Sequence, residues 1–273
     1  MACKAVGLHR STYHYEPKQN EFNERLVSKL YELKDDFPVW GYEKTTQKLK
    51  REGWCVGENR VQRLRQREGL QVPQKQHKRS RVGISTRSRQ RALYPNHVWS
   101  VDFITDRTED GRVLKIFNIL DEHSGFHIGV EMGRSFRADE VIGALGRAMF
   151  RYGIPACIRS DNGPELIAKK LKAWIEESGV GIVYIDPGSP WQNAYVESFH
   201  NIMRREVLNR ELFFHILEAR VVIEDWRREY NTERPHGMRG GRTPEEVFRE
   251  FIPSWQLRCQ EGAQDYSGRE YFH

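Results

Sequence analysis

Apolar positions recur at a helical spacing in three segments near the start of the chain: Asn23 to Lys34, Glu43 to Glu52 and Glu58 to Glu68. A turn bounded by glycines comes directly before the last segment. Two short helices joined by such a turn are typical of a helix-turn-helix module, whose second helix enters the major groove of DNA. The pattern therefore predicts a small all-α module.

The third helical segment combines two apolar positions with a set of arginines. Val61 and Leu64 are expected to pack inward, and the arginines are expected to surround the exposed faces. Among them, Arg60 and Arg63 are the predicted DNA contacts, with a merely solvated helix as the alternative. The arginines of this segment are Arg60, Arg63, Arg65 and Arg67.

After residue 96 the pattern changes to that of strands. Three β-rich segments separated by two tight turns predict an antiparallel meander: Trp99 to Thr105, Val113 to Leu120 and Phe126 to Glu131. The later elements are predicted as a helix at 138–152, a strand at 156–160, a helix at about 164–178, a strand at 181–185 and an amphipathic helix that carries Glu197. This order is typical of an α/β domain with a mixed sheet and helices on both faces.

Charge is distributed unevenly between the two parts. Residues 1–95 hold 21 Lys and Arg against 10 Asp and Glu, and the remainder holds 23 against 28. The segment from Val72 to Ala92 has no acidic residue and no apolar period, which predicts a basic linker. Lys75, Lys78 and Arg79 in this linker are expected to contact DNA phosphates.

Composition excludes several classes of protein. No stretch approaches the ~18 consecutive apolar residues of a membrane span, and the start of the chain lacks a secretory signal, so we expect a cytoplasmic protein with no membrane partner. The cysteines are far apart and form no C-x-x-C pair, so neither a disulfide framework nor a structural zinc site is expected. They are Cys3, Cys55, Cys157 and Cys259.

Three acidic residues lie on separate predicted elements in settings that suit a metal site. Asp102 lies within a β-rich run, where burying a carboxylate is costly unless it coordinates something. Asp161 follows a strand and precedes an Asn-Gly turn, and Glu197 lies on a helix beside an apolar stripe. Asp121, beside a turn, is the best of the weaker candidates.

The acids and their surroundings resemble the DDE signature of transposases and retroviral integrases. The runs Val98 to Asp102, Ser160 to Gly163, Ser189 to Phe199 and Tyr230 to His236 are similar to the second-reading-frame transposase of bacterial insertion sequences, the IS-three family. The resemblance covers almost the whole chain. It implies an RNase H-like fold, with a mixed five-stranded sheet flanked by helices, preceded by the helix-turn-helix module.

The resemblance also implies a reaction and its participants. Asp102, Asp161 and Glu197 would be the catalytic residues and would hold two Mg²⁺ ions, with Mn²⁺ as a substitute. Water would release a 3′-OH at the element end, and that 3′-OH would attack a second phosphodiester. Arg204 is expected to contact a terminal phosphate, and Asn193 and His200 to orient Glu197 or contact the DNA end.

The expected partners are double-stranded DNA of the element ends and the target, further copies of this chain on DNA, and an upstream-frame helix-turn-helix protein in a bacterial cytoplasm. Two other functions stay open: a sequence-specific DNA-binding regulator, and an RNase H-like nuclease without strand transfer. The expected segments are an N-terminal helical segment 1–20, the helix-turn-helix module 21–71, the basic linker 72–95, the catalytic core 96–250 and a tail 251–273.

Overall fold

The computed structural model describes residues 21–73, 92–185 and 194–250. The predicted segment 1–20, most of the linker and the tail 251–273 lie outside the described residues. Helices and strands are numbered separately along the chain. The elements are α1 Glu21–Asp36, α2 Tyr42–Arg51, α3 Glu58–Arg67, β1 Val98–Arg107, β2 Val113–Asp121, β3 His127–Gly133, α4 Ala138–Tyr152, β4 Cys157–Ser160, α5 Lys169–Glu177, β5 Gly181–Tyr184, α6 Ala194–Met203, α7 Ile216–Thr232 and α8 Pro244–Arg249.

The described residues divide into two compact units. One contains residues 21–46 and 55–73, and the other contains residues 47–54, 92–185 and 194–250. No helix within these described ranges has the length and apolar character that a membrane span requires.

The three predicted helical segments near the start of the chain form at close to their expected positions, as α1, α2 and α3. Leu26, Leu30 and Leu33 of α1 are buried, as are Val61 and Leu64 of α3. The prediction that Val61 and Leu64 pack inward is therefore confirmed.

Arg65 lies inside this unit, so its predicted place on an exposed face was wrong. Its side chain is 3% exposed, and its Nη1 donates to the Thr45 hydroxyl at 2.9 Å. Its Nη2 donates to the carbonyls of Trp40 and Leu70 at 3.0 and 2.7 Å. The guanidinium satisfies carbonyls at the ends of two loops, which compensates for burying it. Burial lowers the pKa of Arg65.

The second unit is built on a five-stranded sheet in the order β3-β2-β1-β4-β5. The β1–β2 and β2–β3 pairs are antiparallel, whereas β1–β4 and β4–β5 are parallel. This arrangement confirms both the predicted meander and the predicted mixed sheet.

Alternating residues of β1 contribute to separate cores on the two faces of the sheet. Trp99 and Val101 pack in the core that contains α4 and α5, and Ile104 packs in the core that contains α6 and α7. Side chains alternate along a strand, so Asp102 lies on the same face as Ile104 and is directed toward the α6 layer.

The helix after β4 begins later than the sequence predicts. It starts at Lys169 rather than near Pro164, because the preceding residues form turns in which the N–H groups of Leu166 and Ile167 donate to the Gly163 carbonyl at 2.9 and 3.0 Å. Glu165 in this segment pairs with Lys115 of β2, which ties the turns to the sheet.

The buried His127 of β3 should make the stability of the second unit sensitive to acid. It is fully buried against the rings of Phe199 and Trp226, and within the described chain neither ring nitrogen has a hydrogen-bond partner. Burial, assisted by the charge of Arg227, lowers the pKa of His127 well below 6.5. The unfolded chain therefore binds the proton more readily, and stability falls as the pH drops below the unfolded value.

We expect His127 to steepen the loss of unfolding free energy below about pH 6.5, by up to about 1.4 kcal/mol per pH unit. His127→Leu should reduce this slope, because Leu cannot take up a proton. Urea unfolding at a series of pH values from 7 to 5 measures it. Identical slopes for the wild-type chain and the variant would contradict the prediction.

Candidate active site

Asp102 lies near the middle of β1 and faces Asn118 of β2 across the antiparallel pair. Its Oδ1 accepts the N–H of Phe103 at 2.7 Å, and its carboxylate is partly buried. A carboxylate on a central strand is held by the hydrogen-bonded sheet on both sides, so its position is fixed by the fold rather than by a loop.

Asp161 comes directly after β4, which runs parallel to β1 with Ser160 opposite Val101. Asp102 and Asp161 therefore each come one residue after this pair of facing residues. The Asp161 Oδ1 accepts the N–H of Gly163 at 3.1 Å, which makes an Asx turn. A Cβ at residue 163 would lie 3.1 Å from that Oδ1, so the close approach favours glycine there.

Glu197 lies in the first turn of α6 and is exposed. Val196, Phe199 and Met203 of this helix are buried, which confirms the predicted apolar stripe. The stripe fixes the rotation of α6 on the sheet and directs Glu197 away from the core. Asn201, one turn later, donates its amide to the Glu197 carbonyl at 3.0 Å.

The three acids interact electrostatically. The pKa of Asp102 is raised to about 6, mainly by burial and also by the charges of Asp161 and Glu197, against the lowering effect of the Phe103 N–H. Asp102 therefore meets two like charges, a repulsion that a bound cation would relieve. The carboxylates are not closed into a compact metal cluster: among the described residues no group of three His, Cys, Asp or Glu side chains forms one.

Their chemistry nevertheless fits a hard divalent cation. All three side chains offer carboxylate oxygens, which Mg²⁺ and Mn²⁺ prefer, and a site that also binds substrate phosphate leaves coordination positions to water and DNA. Segment 186–193, which precedes α6, lies outside the described residues.

His200 lies next to Asp102, and the sequence did not predict that these two side chains would meet. Its Nδ1 is 3.8 Å from the Asp102 Oδ2, and its Nε2 is 3.2 Å from the Asn118 amide nitrogen. Burial lowers the pKa of His200 to about 4, so the ring is neutral near pH 7. His200 comes four positions after Val196 and three before Met203 of the buried stripe, so it falls beside the side of the helix that faces the sheet, and this helical spacing was the available signal.

The other predicted contact residues have different surroundings. Arg204 is exposed and its Nη2 donates to the Thr105 carbonyl at 3.2 Å. Arg63 is exposed, whereas Arg60 is half-buried and donates to Asn23. Asn193, Lys75, Lys78 and Arg79 lie outside the described residues.

A buried ion pair joins Arg159 of β4 to Glu122, the residue directly after β2, and was not anticipated. Arg159 Nη1 donates to both Glu122 carboxylate oxygens at 2.6 and 2.7 Å, and the Ser100 hydroxyl also donates to Glu122. Ser100 lies opposite Arg159 in the β1–β4 register. Burial raises the pKa of Glu122, and Ser100 and Arg159 act in the opposite direction.

Asp121, the best of the weaker candidates, has a structural role. It is fully buried and its Oδ1 accepts the N–H and hydroxyl of Ser124 at 2.7 and 2.5 Å, while its Oδ2 accepts the Asn96 N–H at 2.7 Å. Burial raises the pKa of Asp121. These contacts occupy both oxygens in holding the turn after β2.

Comparison with known proteins agrees with this architecture. Residues 21–78 match an HTH-like domain, and residues 92–190 and 178–244 match two models of an integrase core domain. The chain is 37% identical over 237 residues to the insertion element IS407 uncharacterized 31.7 kDa protein of Burkholderia multivorans, covering 86% of this chain and 84% of that one. The chain belongs to the transposase and integrase family of insertion elements.

Other relatives of this transposase extend the likeness. It is 32% identical over 250 residues to the insertion element IS476 uncharacterized 39.2 kDa protein of Xanthomonas euvesicatoria, covering 90% of this chain and 71% of that one. A chain of the simian T-cell lymphotropic virus intasome in complex with PP2A regulatory subunit B56 gamma shares the fold, with a TM-score of 0.53 at 16% identity over 73% of this chain and 69% of that one. The predicted RNase H-like core with an N-terminal helix-turn-helix-like module is therefore confirmed.

Proposed function

We propose that this transposase cuts a DNA strand at the end of an insertion element and transfers the resulting 3′-OH to a second phosphodiester, with Asp102, Asp161 and Glu197 as the catalytic carboxylates. The observation that carries the proposal is the placement of Asp102 on a central strand, of Asp161 directly after its parallel neighbour and of Glu197 on α6, from which the charges of both other acids act on Asp102. A structural role would leave no reason to place two like charges within reach of a partly buried carboxylate.

The same carboxylates, Asp102, Asp161 and Glu197, would hold two Mg²⁺ ions, with Mn²⁺ as the proposed substitute. Bound divalent ions supply an activated oxygen nucleophile and stabilise charge on the leaving oxygen. The chain contributes the positions of the carboxylates, since Asp102 is held in the sheet and Glu197 by the buried stripe of α6.

His200 of α6 lies next to Asp102, and Asn118 of β2 lies next to His200. With the Asn118 amide donating to the His200 Nε2, the proton of the neutral ring lies on Nδ1 and is directed toward the Asp102 Oδ2. We propose that His200 positions Asp102 rather than contacting DNA. The exposed Arg204 remains the proposed contact to a terminal phosphate, where its charge would strengthen the hydrogen bond.

The proposed partners are two DNA ends and a target duplex. Joining them requires more than one copy of the chain if each active site acts on one strand, so we propose a homo-oligomer assembled on DNA in a bacterial cytoplasm. A protein from an upstream reading frame is the proposed additional partner. The helix-turn-helix unit and the linker cations Lys75, Lys78 and Arg79 would supply the DNA affinity.

Incubation of the purified chain with labelled element-end duplexes and a target plasmid tests the proposal, with and without the upstream-frame protein. We expect joined products in Mg²⁺ or Mn²⁺ and none in EDTA. Metal-dependent nicks without joined DNA would identify a nuclease instead. Binding without any cleavage in either metal would identify a DNA-binding regulator.

A further inference from the structure

One face of helix α3 makes no identified side-chain contact with another element; its Arg63 Nε donates to the Asn59 carbonyl within the helix at 3.2 Å. Val61, Leu64 and Arg65 are buried, and they fix which side of the helix turns inward. Successive residues of an α-helix are rotated by about 100°, so Asn59, Arg63 and Gln66 fall within an arc of roughly 60° that is centred opposite these three. The packing of Val61, Leu64 and Arg65 therefore determines which residues of α3 face outward.

All three residues of this arc are exposed. Their side chains are also of the types that read base edges in the major groove: Arg makes paired hydrogen bonds to guanine, and Asn and Gln make them to adenine. We call Asn59, Arg63 and Gln66 the reading face of α3.

Arg60 is separated from this face by its contacts. Its Nε and Nη2 donate to the Asn23 side-chain oxygen at 3.0 and 2.8 Å, and its guanidinium lies 4.7 Å from the centre of the Phe22 ring. These contacts attach α3 to α1. Arg65 attaches α3 to Thr45 and to the loop carbonyls of Trp40 and Leu70. Two arginines thus orient the helix and leave the reading face directed outward.

We propose that Asn59, Arg63 and Gln66 are the specificity-determining residues of this transposase, and that they recognise adenine and guanine edges in the major groove of the element-end duplex. The inference rests on the proposed function for the identity of that duplex. Arg60, which the sequence alone suggested as a DNA contact, acts instead as a positioning residue within the module.

Selection from a pool of duplexes with a randomised central segment tests the reading face, using the full chain in EDTA so that no cleavage occurs. We expect the wild-type chain to enrich one motif. Arg63→Ala should lose preference at a guanine and Gln66→Ala at an adenine, each by about 5- to 100-fold, with the other positions of the motif unchanged. Asn59→Ala should act in the same way at a further adenine.

Arg25→Ala is the matched control, because Arg25 is an exposed arginine of α1 in the same unit. It removes the same charge as Arg63→Ala and should leave the motif intact, with an equal and sequence-independent loss of affinity at most. Circular dichroism of each variant verifies that the helices are retained. Arg60→Ala should reduce thermal stability along with affinity, whereas the reading-face variants should not.

The outcomes separate this inference from the proposed function. A motif that is unchanged in all three reading-face variants, or no enriched motif with the wild-type chain, would overturn the reading face even if the chain joins DNA strands in Mg²⁺. A motif that changes as expected, in a chain that never joins strands, would support the reading face and refute the strand-transfer proposal.

Discussion

Asp102→Asn, Asp161→Asn and Glu197→Gln are each expected to lower the rate of strand cleavage by about 1,000-fold. Each substitution keeps the size of the side chain and removes a charge that would hold a divalent ion. Charge stabilisation by such ions is worth several kcal/mol, and about 1.4 kcal/mol corresponds to a tenfold change in rate. Duplex affinity in EDTA should stay near that of the wild-type chain, since no metal is then bound.

Single-turnover cleavage of a labelled element-end duplex and fluorescence anisotropy measure the two quantities. Asp106→Asn is a matched control, because Asp106 lies on the same strand as Asp102 and its Oδ1 accepts only the neighbouring Arg107 N–H among its identified contacts. Glu211→Gln serves in the same way for Glu197, since Glu211 is exposed. Any acid whose replacement retains more than a few per cent of the cleavage rate does not belong to the site.

The candidate site could be predicted because its acids lie in local patterns. Asp161 precedes an Asn-Gly turn, and the structure shows a turn in which its Oδ1 accepts the Gly163 N–H. The stripe of Val196 and Phe199 predicts the rotation of α6 and hence the exposure of Glu197. Short-range sequence patterns carry these features because the backbone conformation that produces them is also local.

Features that depend on long-range contacts could not be predicted in this way. The burial of Arg65 depends on the carbonyls of Trp40 and Leu70, which the fold brings to its side chain. His200 meets Asp102 only because α6 packs across the sheet. A cation on a helix is ordinarily solvated, and a histidine beside a catalytic acid has several roles open to it, so residue type alone does not decide either case.

The pairing of Glu122 with Arg159 also depends on a long-range contact, and breaking it is expected to have a large effect on stability. Both side chains are nearly inaccessible: Glu122, directly after β2, is 0% exposed, and Arg159 of β4 is 9% exposed. Replacing one partner of a buried ion pair leaves the other charge unpaired in the protein interior, where it is poorly solvated. Glu122→Gln keeps the shape and should lower the free energy of unfolding by about 3–5 kcal/mol.

The two single replacements should lower the free energy of unfolding by different amounts, because only one of the two residues can become neutral when its partner is removed. Arginine stays charged at every accessible pH, whereas burial already raises the pKa of Glu122, so Glu122 can take up a proton when Arg159 is absent. Arg159→Met should therefore cost less than Glu122→Gln near pH 5. Its cost should grow toward pH 8, since a carboxyl group with a raised folded-state pKa loses stability as the pH rises through that value.

The double variant Glu122→Gln with Arg159→Met should regain most of the loss, because it removes both buried charges together. Urea unfolding followed by intrinsic tryptophan fluorescence, to which the buried Trp99 beside Ser100 on β1 contributes, measures all three variants. Lys170→Ala is the control: it breaks the exposed pair with Asp139, whose side chains are 66% and 68% exposed, and should cost less than about 1 kcal/mol. If losses from the two single variants simply added in the double variant, Glu122 and Arg159 would not be coupled, and the ion pair would not be what connects β4 to the residue after β2.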